Sequence, residues 1–477
     1  MKSSSIYVMI LITLVLVLSG SFCFADNDAQ DLAPLPLTLA EAIDLALQNQ
    51  PALMASEKAV EAAQAQHKQA LSTYWPSLNA TGLYSWLDED PVMIYPASKM
   101  VIPPMDMGGF VFRLPSFPVP EQKIKLMDQE NLLTSVNLSY PVYTGGLLSS
   151  LRQQAKYNIE INRQKQRKTE LEVIHNVKKY YYSALLAREI LSIGQEALTR
   201  LEVTLSLTEN LYQKGSGRVK KTDYLKSKVI VENVRALVTD IQSQSTLALA
   251  ALVHAIGLPW NQPVIITEKE IPFMPLEMDL QNYIAQVYAH NPDWALVKAA
   301  LVINQAQIQE AQSGYLPKLA ITGSLNYIIN DYDYGIVNNA TNETWSIGLG
   351  LQVPLFNGFR TANKIKEAKA NYEKLQYRQI ELEQGLALQI HYLFLKLATA
   401  RQKETSLLLG REAAVENQQL TESAYQIEMV DEQDLIESQI MASFSQARYL
   451  AVLLEYFLAQ SELELVIGCA VDKAIND

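Results

Sequence analysis

Five histidines (His67, His175, His254, His290 and His391) and two cysteines (Cys23 and Cys469) are the side chains best suited to metal or nucleophilic chemistry. Their spacing does not gather them. No His/Cys cluster stands at the separation of a zinc site. The sequence has no G-x-S-x-G elbow, no phosphate-cradling glycine loop and no dinucleotide fingerprint. Four of the histidines fall in stretches that read as helix, where a lone histidine is nearly always structural. The chain is therefore expected not to be an enzyme, and neither a cofactor nor a metal is expected. A nucleic-acid partner is also disfavoured, because 39 basic residues stand against 51 acidic ones, for a net charge of −12. No basic patch is present to neutralise phosphates. With 49% hydrophobic and 19% charged residues, the chain is not disordered. Function must then reside in elements and their arrangement.

The N-terminus has one early lysine, Lys2, an apolar core over 6–18, and small residues at Cys23 and Ala25. This is the pattern of a secretory signal peptide over 1–25, cut before Asp26. A retained anchor needs a longer apolar run, of about 20 residues. A lipidated Cys23 stays open, although Phe22 suits such a site poorly. No later stretch has 18 consecutive apolar residues, so contact with a membrane requires a β-barrel or a surface.

The strongest local pattern is at 344–360. Trp345, Ile347, Leu349, Leu351, Val353 and Leu355 alternate with Ser346, Gly348, Gly350, Gln352 and Pro354. Period two marks a strand with one apolar and one polar face. Asn357 is placed to cap a long helix starting near Gly358. Weaker strands of the same kind follow Pro76 and Pro317, and another alternates Val136, Leu138, Tyr140 and Val142 with Ser135, Asn137 and Ser139, ending in the stretch 141–146. Thr38 and Glu41 form a capping-box pattern ahead of a helix that Pro51 interrupts. Residues 87–131 carry seven prolines, which predicts an irregular extended loop. From 147 to 212 no proline occurs, and Val177, Ala184, Leu191, Leu198, Leu205 and Tyr212 recur every seven residues, as in a coiled coil. At 1.5 Å per residue this helix spans roughly 100 Å. A turn at Gly215-Ser216-Gly217 leads into a returning helix that closes at Gly257.

The pattern then repeats. Pro51, Pro76 and Gly82 recur as Pro292, Pro317 and Gly323, an offset of 241, with 12 identities over the 32 ungapped positions from 51 to 82. Pro141, Gly145 and Tyr212 recur as Pro354, Gly358 and Tyr425 at 213; Asp223 and Gly257 recur as Asp434 and Gly468 at 211. A second seven-residue ladder runs through Leu386, Leu393, Ala400, Leu407 and Ala414. The chain reads as an internal duplication. Residues 37–258 form the first repeat (helix, strand, loop, strand, long helix, return helix). Residues 259–278 form a connector, 279–468 the second repeat and 469–477 a tail. Four amphipathic strands per chain cannot close a barrel and leave two open edges, which calls for a symmetric oligomer.

These features resemble the TolC-like outer membrane efflux protein family. The carriers are Asn49-Gln50-Pro51 and His290-Asn291-Pro292, Tyr74-Trp75-Pro76 and Tyr315-Leu316-Pro317. The two strand-to-helix joints, 141–146 and 354–358, and Tyr425 with Asp434-Leu435 complete the set. The resemblance covers about residues 37–468. It implies an α+β membrane protein: a trimeric 12-stranded outer-membrane barrel, four strands per chain, continuous with a long periplasmic α-helical coiled-coil barrel. It implies a homotrimer in outer-membrane lipid, docked to a periplasmic adaptor and an inner-membrane pump. The function implied is the exit duct of a tripartite efflux or type I secretion system. A secreted coiled-coil adaptor without a pore is the alternative, but it leaves the four strands unexplained. The family's periplasmic gate maps onto Asp434 and Glu437, which at i and i+3 share a helix face. Asp434 as a plain helix N-cap is the competing role. The adaptor-contacting tips map onto Gly215, Ser216 and Gly217 and onto Glu428, Met429 and Val430. Glu428 departs from the family's glycine. The strand–helix joints are Pro76, Pro141, Gly145, Pro317, Pro354 and Gly358.

Overall fold

The computed structural model describes residues 33–106, 108–214, 219–276, 279–330, 342–427 and 429–469. The expected signal peptide, the tip residues Gly215, Ser216, Gly217 and Glu428, and nearly all of the tail lie outside them.

Helices dominate. The first repeat contains α1 (Leu39–Asn49), α2 (Pro51–Ser72), α3 (Leu147–Gln213) and α4 (Lys221–Ile256). The second contains α5 (Leu280–His290), α6 (Pro292–Gln312), α7 (Arg360–Gln426) and α8 (Glu432–Ile467). The paired long helices both have 67 residues and the paired return helices both have 36. Local chemistry explains the starts. Thr38 and Glu41 do form a capping box. Pro51 and Pro292 sit at the first positions of α2 and α6, where a missing N–H costs nothing. The seven-residue ladders are buried where they meet neighbours, as at Val177, Ala184, Leu386, Leu393 and Ala400. Helix α4 is apolar enough, at a mean hydropathy of 1.2 over an 18-residue window, to pass for a membrane span by composition. It instead packs lengthwise on α3 as a coiled-coil return.

Helix α3 is flanked near the sheet by α2 and α6, and further away by α4 and α8. Two short helices therefore stack end to end beside each long one. The stacking points are built by the duplicated motifs. Gln50 Nε2 donates to Ala255 O at 2.9 Å, and Asn291 Nδ2 donates to Val466 O at 2.7 Å. Gly257 (φ +79°) and Gly468 (φ +94°) end α4 and α8 in the left-handed conformation. The backbones of Asn49 and His290 lie where a Cβ would be, at 2.9 and 2.5 Å. Only glycine satisfies both demands.

The main core lies at this level. Short strands β1 (Leu35–Leu37) and β10 (Val264–Ile266) pair in parallel there, and Tyr181 Oη donates to Leu37 O at 2.9 Å. Strand β10 lies in what the sequence reads as a plain connector. Three residues per strand are too few for a periodic signal.

Strands β2 (Ser77–Trp86), β9 (Glu130–Tyr143), β11 (Lys318–Asn330) and β12 (Glu343–Gln352) form one antiparallel sheet in the order β12-β11-β9-β2. Three details of the strand ends stand out, the first and third of which differ from expectation. Strand β12 stops at Gln352, because β11 offers it no partner beyond Lys318. Strand β9 runs two residues past Pro141, which sits where the pairing register shifts; a bulge tolerates a residue without an N–H. Helix α7 begins at Arg360, not Gly358, after Phe359 at φ +62°. Asn357 still serves its first turn, donating to Thr361 Oγ1 at 2.6 Å.

The largest difference concerns residues 87–131. They form a β-ribbon of nested antiparallel pairs: β3 (Val92–Tyr95) with β8 (Gln122–Lys125), β4 (Ser98–Met100) with β7 (Phe117–Val119), and β5 (Met105–Asp106) with β6 (Val111–Phe112). The expectation of an irregular loop was wrong because a two-stranded ribbon is all edge. Each strand has one row of N–H groups facing outward, so prolines fall between the pairs, or inside one as Pro118 does in β7 opposite Lys99, without breaking them.

Candidate functional site

The alternating residues of the four strands fall on two faces. Cross-strand pairing puts Leu351 beside Leu319, Leu349 beside Ile321, and Trp345 beside Leu325. The row continues through Tyr140, Leu138 and Val136 to Leu78 and Ala80. On the opposite face Thr81 and Ser135 hydroxyls meet at 2.7 Å, Ser324 and Ser346 hydroxyls at 2.8 Å, and Asn137 donates to Ser135 at 3.0 Å. One face is therefore apolar and the other a hydroxyl and amide surface. Both faces are open to solvent in the single chain: Leu349 is 68% exposed, and all ten residues of β12 are exposed. A row of large apolar side chains left uncovered marks a surface built to meet something apolar. The outer strands β2 and β12 have no strand partner on their other side among the described residues.

Each sheet-to-helix joint turns on left-handed glycine. Gly145 has φ +64° and Gly358 has φ +63°. At Gly145 a Cβ would fall 2.5 Å from Leu316 Cβ, whereas at Gly358 nothing lies within 4 Å. Pro76 and Pro317 directly precede β2 and β11, and Pro354 lies two residues past the end of β12.

At the far end of the helices an open cavity of about 1980 Å³ lies between the end of α3 and the starts of α4 and α8. Asp223, Asp431, Glu432 and Glu437 line it, opposed by Lys214, Lys220 and Lys226. Asp434 is exposed but is not among the lining residues. It does not cap α8: Asp431 is the N-cap, and its carboxylate accepts from the Asp434 N–H at 3.1 Å. Asp223 accepts from the Lys220 N–H at 3.0 Å, so the first repeat's carboxylate is held as a capping residue. Ser227 Oγ donates to Glu432 Oε1, and the other oxygen of Glu432 is buried without a partner among the described residues. Burial, with Glu432 alongside, raises the Tyr425 phenol above its usual range. Of the named tip residues, Met429 is exposed, with its N–H donated to Ala424 O at 2.9 Å. Val430 is half-buried and faces the cavity.

The histidines stay apart, and among the described residues no group of acids, histidines and cysteine could hold a metal. His175 lies between helices, 2.9 Å from Ser461 Oγ. Burial holds its imidazole below the usual histidine value. Sequence reasoning found the repeated Gln50, Asn291, Gly257 and Gly468 but not their pairing, since each pair is separated by more than 170 residues.

Comparison with known proteins agrees with this geometry. The family model described as "Outer membrane efflux protein" matches residues 42–258 and 283–468. Among curated relatives, the cation efflux system protein CusC of Escherichia coli K12 is 23% identical over 54% of this chain and 56% of its own length. Protein CyaE of Bordetella pertussis is 22% identical over 76% and 70%. The alkaline protease secretion protein AprF of Pseudomonas aeruginosa is 21% identical over 52% and 51%. The match to CusC thus spans little more than half of that relative. Among solved structures, the Campylobacter jejuni CmeC outer membrane channel superposes with a TM-score of 0.72, at 18% identity, over 90% of this chain and 85% of that one. VceC of Vibrio cholerae does so with a TM-score of 0.70, at 15% identity, over 91% and 96%.

Proposed function

We propose that this chain, which belongs to the outer membrane efflux protein family and is an outer-membrane protein, forms the exit duct of a tripartite efflux or type I secretion system. The observation that carries the reading is the two-faced sheet with two open edges, joined through short glycine turns to helices of 67 residues. Four strands cannot close, and twelve strands from three chains can. The apolar row then meets lipid and the hydroxyl row lines water. The helices, roughly 100 Å long, make a periplasmic tube. Its tip carries the acidic constriction at Asp434 and Glu437 and meets a periplasmic adaptor through residues 215–217 and 428–430. An inner-membrane pump supplies the energy. Relatives carry names for cation efflux and for protease secretion, and the cargo of this chain is left to its pump.

Purified outer-membrane protein should run as a heat-dissociable trimer and conduct ions in planar bilayers. Three copies of Asp434 and Glu437 place six carboxylates around one axis, where mutual repulsion and bound cations both act. Asp434→Ala should raise single-channel conductance severalfold. A soluble monomer without conductance would sink the channel, and an unchanged conductance in the variant would sink the gate alone.

A further inference from the structure

Strands β2 and β9 are joined by a far longer stretch than β11 and β12, and β3 to β8 fill it. One register runs through all three of their pairs. From Val92↔Lys125 to Asp106↔Val111, one partner number rises as the other falls, step for step. Residues 92–125 are thus a single hairpin arm. The sheet ends at Trp86↔Glu130 and the arm starts at Val92↔Lys125, six residues on along one strand and five along the other. An extra residue on one side is a bulge, which bends and twists a ribbon.

The arm is divided along its length. Residues 88–99 and 120–128 carry eight charges in 21 positions, whereas residues 100–119 carry only Asp106 and Arg113 in twenty. The base is therefore a surface for water. The outer half is apolar on both sides. Alternation puts Met100, Val111 and Phe117 on one face and Met105 and Phe112 on the other. All five are at least half exposed, and Phe110, beside the Gly108-Gly109 turn, is 86% exposed.

We propose that the outer half of the arm, residues 100–119, rests in the outer leaflet around the channel, at the boundary between headgroups and acyl chains. This rests on the duct reading above, in which the sheet end opposite the helices lies outside the cell. It adds a lipid contact beyond the barrel wall.

Three features select lipid as the occupant. First, both faces and the turn are uncovered and apolar. A protein partner, or the same arm of a neighbouring copy, would cover one face and leave the other in water; a lipid surface surrounds all of them. Second, Pro103, Pro104, Pro115 and Pro118 remove four backbone donors within twenty residues. A ribbon is all edge, and each outward N–H is costly in an apolar medium. The same prolines bar strand addition by a protein partner. The outward N–H groups that remain keep the ribbon out of the hydrocarbon centre, since an open edge does not enter it. The depth expected is that of an interfacial segment, about 5–10 Å. Third, the arm leaves the sheet beside Tyr84 and Trp86, the exposed rings that end the apolar row of β2. The charged base is roughly 40 Å long, so a bend at the bulge toward that row lays the outer half on the leaflet.

The test uses full-length protein carrying Cys469→Ser, with that chain alone as the unlabelled blank. Phe110→Cys in the outer half and Glu121→Cys in the base are each labelled with an environment-sensitive nitrobenzoxadiazole dye. The trimers are reconstituted in phosphatidylcholine vesicles containing lipid with a nitroxide high or low on the acyl chain. The label at 110 should be quenched by the high nitroxide at least about threefold more than the label at 121, and less by the low one, as for an interfacial segment. Met105→Cys is a second outer-half site, in case the first perturbs assembly. Equal quenching at 110 and 121, with both open to aqueous iodide, overturns the lipid contact while the channel stands. Reducible dimers on oxidation of unlabelled Phe110→Cys would instead bring the arms of neighbouring copies together over the mouth, and overturn it as well. A chain that forms no heat-dissociable trimer overturns the duct reading and this placement with it.

Discussion

At the residue scale, the two glycines that end the return helices carry a heavier constraint than any titratable group in the chain. Gly468 combines φ +94° with a Cβ position 2.5 Å from His290 O, so Gly468→Ala adds backbone strain to a steric clash at the stacking point. The expected cost is about 1–3 kcal/mol, seen as a lowered melting temperature by circular dichroism in detergent. Gly385 is the control. It lies inside α7 with open space around its Cβ position, and Gly385→Ala should stabilise by about 0.5–1 kcal/mol. Equal effects at the two sites would contradict the stacking argument. The sequence showed both terminal glycines as repeated marks, because a helix-ending glycine is a local signal. The backbone each one meets is distant in sequence, and no local pattern announces it.

At the scale of elements, the strands were legible wherever one face is apolar and the other polar, since alternation is a direct consequence of the pleat. The ribbon at 92–125 was not. Its prolines read as breakers, and only pairing geometry shows that a ladder open on both sides can carry them. Boundaries at the joints shifted for a related reason: β9 is prolonged by its neighbour β11, while β12, without a neighbour there, ends early. The face assignment gives a paired prediction. Leu349→Arg places a charge in the apolar row, and should cost roughly 2–4 kcal/mol per chain near mid-membrane and abolish the heat-dissociable trimer in outer-membrane fractions. Gly350→Arg should assemble, because the Gly350 Cβ position has its nearest contact at 3.9 Å, to Ala320 O, on the hydroxyl face. The opposite outcome would mean that the sheet is turned inside out.

At the scale of the whole molecule, the duplication gives one chain two equivalent wall segments, which in the trimer proposed above would make six. The 28-residue excess between the strands of the first repeat, the difference of 241 and 213, departs from that equivalence. It is built as a separate ribbon: among the described residues β3 to β8 pair only with one another, and Lys125 is tied to Asp90 and Asp128. Replacing residues 88–128 by an Asn-Gly turn should therefore leave the heat-dissociable trimer intact, with conductance as the second readout. Loss of the trimer would mean that the ribbon takes part in closing the barrel. In the sequence, the expectation of several copies rests on the two unpaired edges. The sequence could not show which side chains line the tip cavity, because the starts of α4 and α8 come together there from different repeats.

The end-to-end stacking of the short helices also has a mechanical consequence. Helices α3 and α7 are unbroken over 67 residues each, roughly nineteen turns of continuous hydrogen-bonded rod. The columns beside them are cut, α4 from α2 at Gly257 and α8 from α6 at Gly468. The bundle thus sets whole rods beside jointed columns, and each joint lies beside its own packed cluster: the one at Gly257 contains Ile256 with Leu37, Val264 and Ile266 of the β1–β10 pair, and the one at Gly468 contains Leu463, Val466 and Ile467. Load along the axis is carried by the whole rods. Among the described residues both jointed columns are interrupted at corresponding points of the two repeats, so at those points the backbone continues along the axis only through the whole rods.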